Sequence, residues 1–318
     1  MLSLSVLEEK EILENLQAND NPHFDTYYAF YSSWFGGIIK NPRFMLLPLD
    51  DHMVHRGDGV FEAMKSVNRS IYLLDAHLHR LFQSAEKIGI QSPYNFAEIK
   101  EIILQTLKAA NQSDTAIRIF LSRGPGSFSM NPYDSVKPQL YVVVTKLSHP
   151  PREKYEKGVK IGKSVIPMKT SWMAQVKSCN YLPNVLMKKE AVDRKLDFVV
   201  GIDEKNYISE GCGENIIIVD ADGTIVHPPL NSILKGTTMI RTCELADKNG
   251  IPTKERLISC DELQSAREVM MTGTTIDILP VIQFEDQIIG DGTPGKIFQK
   301  LNQIIKNDIE KGANNTVF

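Results

Sequence analysis

Val176-Lys177-Ser178-Cys179-Asn180-Tyr181-Leu182-Pro183-Asn184 places one lysine at the seam between an extended segment and a helix. Upstream, residues 159–166 (VKIGKSVI) are rich in β-branched side chains, as a strand requires. Downstream, Leu182, Val185, Leu186, Val192 and Leu196 recur at roughly helical spacing, and Pro183 suits a first turn, where its missing N–H costs nothing. An amine at such a junction is held by rigid elements while its tip projects into a cleft. That suits a nucleophile: a deprotonated ε-amine attacks a carbonyl to form a Schiff base, and the fixed aldehyde used for this is usually pyridoxal phosphate. A lone lysine is ordinarily a solvated surface residue, so the reading depends on the stretches that accompany it.

The chain of 318 residues is long enough for two domains with a core each, and its 42% hydrophobic and 24% charged content is that of a globular protein. A formal net charge of −3 leaves no electrostatic footprint for nucleic acid or anionic membrane. No apolar run approaches the ~20 residues that span a bilayer, and residues 1–20 carry acids where a signal peptide carries an apolar core, so a cytoplasmic location is expected. Cys179, Cys212, Cys243 and Cys260 are widely spread, which argues against a disulfide framework and against a metal site. In such a compartment the Asn314-Asn315-Thr316 sequon reads as chance.

Residues 5–18 have Leu7, Ile12, Leu13 and Leu16 near one helical face, the mark of an amphipathic helix in an N-terminal extension over 1–30. Residues 44–49 and 61–67 read as strands around a polar turn at 56–59. Asp75 offers an N-cap to a helix whose apolar face is Leu78, Leu81, Phe82, Ala85 and Ile88 and whose flank carries Arg80. A guanidinium there grips a phosphate, or else makes a surface ion pair with Asp75 or Glu86. A further helix is expected over 96–110, and a strand over 116–121 with Arg118 in its middle, either meeting an anion or facing water. Residues 123–132 form a loop by their glycines and prolines. The apolar run 140–145 reads as a buried strand that ends a smaller domain over 31–145. Residues 146–152 (KLSHPPR) make an interdomain linker, and a larger domain then runs over 153–318. In it, Glu210 sits in a turn (206–213) before the strand 216–219. Gly236-Thr237-Thr238 opens a helix whose N–H groups, hydroxyls and dipole form a phosphate cup, without the Gly-Lys-Ser/Thr of a P-loop. Thr272-Gly273-Thr274-Thr275 supplies a second side of the cup, and a helix over 295–311 closes the chain.

Four stretches in this order resemble the class IV aminotransferases, the fold-type IV pyridoxal-phosphate enzymes. They are Gly57-Asp58-Gly59-Val60-Phe61-Glu62 with His77-Leu78-His79-Arg80-Leu81, Lys177 with Asn180-Tyr181-Leu182, Ser209-Glu210-Gly211-Cys212-Gly213-Glu214-Asn215, and Lys235-Gly236-Thr237-Thr238 with Thr272 to Thr275. Together they cover roughly residues 45–285, and the wording of DDHMVHRGDGVFE and VKSCNYLPNVL is similar to the plant-type D-amino-acid transaminase and aminodeoxychorismate lyase branch.

The resemblance implies a mixed α/β fold of two domains with the active site at their interface, a homodimer, and pyridoxal 5'-phosphate as cofactor. It implies Lys177 as the Schiff-base lysine, and Arg80, Tyr181, Glu210, Gly236, Thr237, Thr238, Thr274 and Thr275 as cofactor contacts. In this picture Glu210 keeps the pyridine nitrogen protonated and Tyr181 bonds O3'. Phe61, Arg118 and Arg123 stand on the substrate side. One departure matters: bacterial D-amino-acid transaminases supply an arginine and a histidine to the substrate carboxylate from the loop after Gly124, and this chain has neither between Gly124 and Ser135. The implied activity exchanges an amino group between an amino acid, D-alanine for example, and a 2-oxo acid. Lysis of 4-amino-4-deoxychorismate and transamination of branched-chain L-amino acids are the alternatives. Glu62 tilts toward transamination, since bacterial lyases of the family tend to carry threonine there.

Overall fold

The computed structural model describes residues 2–169, 171–311 and 315–318. Asn314 of the sequon lies outside them. The chain opens with α1 (Glu9–Ala18), capped reciprocally by Glu8 and Glu11, and its apolar residues Ile12 and Leu13 remain about half exposed. Strand β1 (Tyr27–Ser32) follows, so sheet structure begins inside the expected helical extension. Then come β2 (Gly37–Ile39), α2 (His52–Arg56), β3 (Gly59–Val67), β4 (Ser70–Tyr72), α3 (Leu74–Lys87), α4 (Phe96–Ala110), β5 (Thr115–Ser122) and β6 (Gln139–Lys146).

Residues 44–49, expected as a strand, instead leave a short 3-10 turn, Pro42–Phe44, and run irregularly. Pro48 lies within that run and withholds an N–H donor from any ladder. Asp75 is not the N-cap of α3: that is Leu73, held in the left-handed region at φ 56°, while Asp75 in the first turn pairs with Lys100. Asn95 and Glu98 cap α4 reciprocally, the reason this helix begins where its apolar face does.

The second half contains α5 (Arg152–Lys157), β7 (Val159–Lys163), α6 (Leu182–Asp193), β8 (Phe198–Ile202), β9 (Ile208–Gly211), β10 (Asn215–Val219), β11 (Ile225–His227), α7 (Thr237–Lys248), β12 (Thr253–Glu255), α8 (Cys260–Ser265), β13 (Glu268–Gly273), β14 (Asp277–Phe284), β15 (Gln287–Ile288), α9 (Lys296–Lys311) and β16 (Asn315–Val317). Two sheets result. The first is antiparallel in the order β16-β4-β3-β5-β6-β1-β2, so the last strand returns across the molecule to pair with Ser70–Tyr72. The second is mixed, β12-β11-β10-β13-β14-β7-β8-β9, with β15 on β14.

One face of the first sheet, with Val60, Met64, Ile117, Ile119 and Leu121, buries Leu78 and Leu81 of α3 and Ile99, Ile103 and Leu107 of α4. Truncating any one of these to alanine costs about 2–5 kcal/mol. The other face carries Phe61, Phe120 and Arg118, by the register Phe61↔Phe120 and Ala63↔Arg118. In α6 the expected apolar face is not the buried one. Met187 and Ala191 turn inward, while Leu182, Val185 and Val192 stay exposed. No described helix is long and apolar enough to cross a membrane.

Candidate active site

The lysine segment is stitched onto β3. Phe61 N donates to Lys177 O (2.9 Å), Cys179 N donates to Gly59 O (2.8 Å), and Val60 bridges Ser178. Gly57 makes the approach possible: it is left-handed (φ 68°), and a Cβ there would stand 3.1 Å from the Asn180 backbone. Lys177 is thereby buried between the sheets, its own N–H donating to Ser84 Oγ of α3 (3.3 Å). Its Nζ lies 3.4 Å from Tyr181 Oη and 4.5 Å from the centre of the Phe61 ring, which meets Tyr181 edge-on. Burial, and then the Arg80 guanidinium, push the ammonium down to about 8, against the pull of Glu62 and Glu210. Such an amine is neutral in useful amount near neutrality.

Glu210 lies in β9 and not in a turn, since Val200 of β8 pairs with Gly211 beside it. Its Oε2 accepts from Leu234 N (3.1 Å) and from Asn215 Nδ2 (3.5 Å). Burial raises it to about 7, against the Leu234 N–H, Lys177, Lys169 and Arg80. A buried carboxylate so placed lacks a full cationic partner and would be drawn back to its charged form by one.

Arg80 does not reach Asp75 or Glu86. It forms a bidentate pair with Glu62, Nε to Oε1 at 2.6 Å and Nη2 to Oε2 at 2.8 Å, and Nη1 donates to Lys235 O (2.8 Å). His77, one turn earlier on α3, joins Glu62 through Nδ1 (2.7 Å) and Thr237 Oγ1 through Nε2 (3.2 Å). Burial alone would raise Glu62, but Arg80 and His77 outweigh it and hold the carboxyl at about 2. His77 is lowered by burial, with Glu62 opposing. Thus β3, α3 and the start of α7 are tied by one buried network at the Lys177 end of the sheet.

Gly236 caps α7 without a side chain, so the first-turn N–H groups of Thr237 and Thr238 meet no capping oxygen. A Cβ at Gly236 would fall 1.8 Å from Asn215 Oδ1. Thr274 and Thr275 form the half-buried turn between β13 and β14, and Thr272 Oγ1 behind them is buried with no hydrogen-bond partner among the described residues. Two contacts fix the turn. Lys65 Nζ of β3 meets Asp277 Oδ1 at 2.5 Å, and Tyr155 Oη donates to Ile276 O (3.1 Å). An arginine, open helix N–H groups, threonine hydroxyls, a neutralisable lysine and a poised carboxylate are the donor set that pyridoxal 5'-phosphate requires, and the residues fit it.

The substrate-side residues separate. Phe61 lies against Lys177. Arg118 is exposed on the same sheet face. Arg123 is spent elsewhere: Nε and Nη2 clasp Asp58 at 2.8 and 3.0 Å, and its Nη atoms donate to Gly89 O and Ile88 O. Residue reading does not single out His77, Lys65 or Lys169 as site residues. His77 is legible in principle, since it stands three residues before Arg80 and so shares its side of α3. Lys65 and Lys169 carry no local signal.

Residues 59–284 match the family model described as Amino-transferase class IV. The chain belongs to this family, whose fold it has and whose cofactor is pyridoxal 5'-phosphate. Among its relatives is the chloroplastic D-amino-acid transaminase of Arabidopsis thaliana, 36% identical over 98% of this chain and 83% of that protein. Solved structures of like fold include the branched-chain amino acid aminotransferase of Escherichia coli, 23% identical, TM-score 0.85, covering 91% of this chain and 98% of that one. Another is 4-amino-4-deoxychorismate lyase from Pseudomonas aeruginosa, 23% identical, TM-score 0.77, covering 89% and 99%.

Proposed function

We propose that this chain is a pyridoxal-phosphate-dependent transaminase that exchanges an amino group between a small D-amino acid, D-alanine for example, and a 2-oxo acid. The observation that carries the reading is the buried Lys177 amine, lowered to about 8 and set against Phe61 and Tyr181. The relative named D-amino-acid transaminase supports the choice of substrate.

Bound here, the cofactor supplies an aldehyde that takes up an amine and a cationic ring that withdraws electrons from Cα. Arg80, the open N–H groups of Thr237 and Thr238, and the Thr274-Thr275 turn would bind its phosphate, with the bare Gly236 leaving room for the Asn215 amide beside them. Glu210 would hold the proton on the ring nitrogen, and the Tyr181 phenol would serve the ring oxygen. Lys177 Nζ, set against Phe61 and Tyr181, would be the base that holds and moves the substrate's Cα proton once its amine is free. Phe61 and Tyr181 exclude water from that path.

The chain also supports a homodimer reading. Trp34, Phe35, Ile38 and Leu49 are exposed, and a cavity of about 410 Å³ among Phe30, Leu47, Phe120 and Val143 opens on the first sheet. The four cysteines are free thiols, which favours the cytosol over an oxidising compartment.

The test is a visible absorbance spectrum of the purified protein with pyridoxal phosphate, before and after D-alanine, L-leucine or aminodeoxychorismate. A band that fades with D-alanine alone is expected. Fading with L-leucine alone assigns the branched-chain reaction. A band that survives both, with pyruvate released from aminodeoxychorismate, assigns the lyase.

A further inference from the structure

An amino-acid substrate brings a carboxylate bonded to the carbon that bears its amine. Whatever cation reads that group must therefore stand beside the lysine the amine displaces. The cavity at Lys177 is walled by Lys169, Tyr181, Asn184, Glu210 and Leu234. Lys169 Nζ donates to Ser178 Oγ at 3.1 Å, on the residue next to Lys177. It lies 5.2 Å from the centre of the Tyr181 ring, while Lys177 Nζ lies 5.5 Å from the same centre. Two ammonium groups thus share one aromatic ring.

The other cations are committed or exposed. Lys177 is the reacting amine, Arg80 is bidentate on Glu62, Arg123 is bidentate on Asp58, and Arg118 faces solvent. Lys169 is half-buried, and among the described residues it makes no ion pair. Ser178 is a neutral acceptor and satisfies one of its three donors. A half-buried ammonium with two donors to spare and no counter-charge in contact is a site for an anion.

We propose that Lys169 is the residue that receives the substrate α-carboxylate, replacing the arginine and histidine absent from the loop 124–135. This rests on the transaminase reading above. Lys169 lies next to Tyr181, so the carboxylate docks on the side of the site where that phenol stands, and the chain needs no arginine for the purpose.

The test uses the holoenzyme and its Lys169→Met and Lys169→Arg variants. Lys169→Met raises KM for D-alanine and for pyruvate by about tenfold or more, the loss expected of one charge-assisted hydrogen bond, and changes kcat much less. Lys169→Arg recovers most of the KM. Propionate, a carboxylate without the amine, perturbs the visible spectrum of the wild type and of Lys169→Arg, and binds about tenfold more weakly to Lys169→Met. Uptake of pyridoxal phosphate by the apoprotein is the same in all three, which separates carboxylate binding from a folding defect. An unchanged KM and propionate affinity in Lys169→Met, or a KM rise confined to Arg118→Ala, overturns the proposal. A wild type that takes up no cofactor overturns the transaminase reading itself, a result distinguishable from either.

Discussion

Glu62→Gln removes one partner of a pair that is wholly buried. The carboxylate accepts both Arg80 bonds and the His77 bond, so the substitution leaves a guanidinium with no counter-charge inside the protein. Two routes give the cost. Removing one member of a buried pair costs roughly 3–5 kcal/mol. The carboxyl is held at about 2 against an ordinary 4.5, a difference of about 2.5 that corresponds to about 3 kcal/mol. Because the folded value lies below the unfolded one, this stability is whole above about 4.5 and fades as pH falls from there toward about 2. Thermal unfolding of the apoprotein at neutral pH is expected to drop by roughly 6–20 °C in Glu62→Gln, taking 2–4 °C per kcal/mol. Urea midpoints measured from pH 7 down to pH 3 should lose part of their acid slope. Replacing both partners, Glu62→Leu with Arg80→Met, strands no charge and should cost less than Glu62→Gln. A melting shift under about 2 °C, with the acid slope unaltered, would refute the assignment of this network as the tie between β3, α3 and α7.

The rate at which a visible band appears on adding pyridoxal phosphate should rise with pH through about 8 and then level, because only the neutral Lys177 amine attacks; a rise continuing to the ordinary lysine value of 10.5 would contradict its burial against Arg80. Gly236→Ala drives a Cβ to 1.8 Å from Asn215 Oδ1 and displaces the amide that donates to Glu210. Cofactor affinity from a spectral titration should weaken at least about tenfold, and wild-type affinity would show that the Asn215 amide is not needed to hold Glu210 for the cofactor. Arg123→Ala should destabilise the fold by about 2–4 kcal/mol in urea while leaving substrate KM within about twofold. A large KM increase instead would return Arg123 to the substrate site.

Local pattern carries the helices well. The face of α3 and the reciprocal cap of α4 are written in consecutive residues, as is the lysine at the head of α6. What escapes is decided by partners distant in the chain. Tyr27–Ser32 becomes a strand because β6 pairs with it, and nothing in its own short run separates it from an extension. Glu210 reads as a turn acid because β9 is held to β8 on one side alone, at a sheet edge. The face of α6 is misjudged because periodicity reports where apolar residues gather and not which side meets the core. Arg123 and Lys169 lie beyond residue reading for a related reason. Whether a cation is spent or free depends on what lies opposite, and Asp58 lies opposite the first.

Lys65 leaves β3 on the same side as Phe61, is 1% exposed, and ends on Asp277 at the foot of the Thr274-Thr275 turn. Its consequence is mechanical. Parting the two sheets like jaws would hydrate both groups and lose only the net worth of one charge-assisted hydrogen bond, about 1.5–3 kcal/mol. That one link biases the two sheets toward the closed arrangement without locking it.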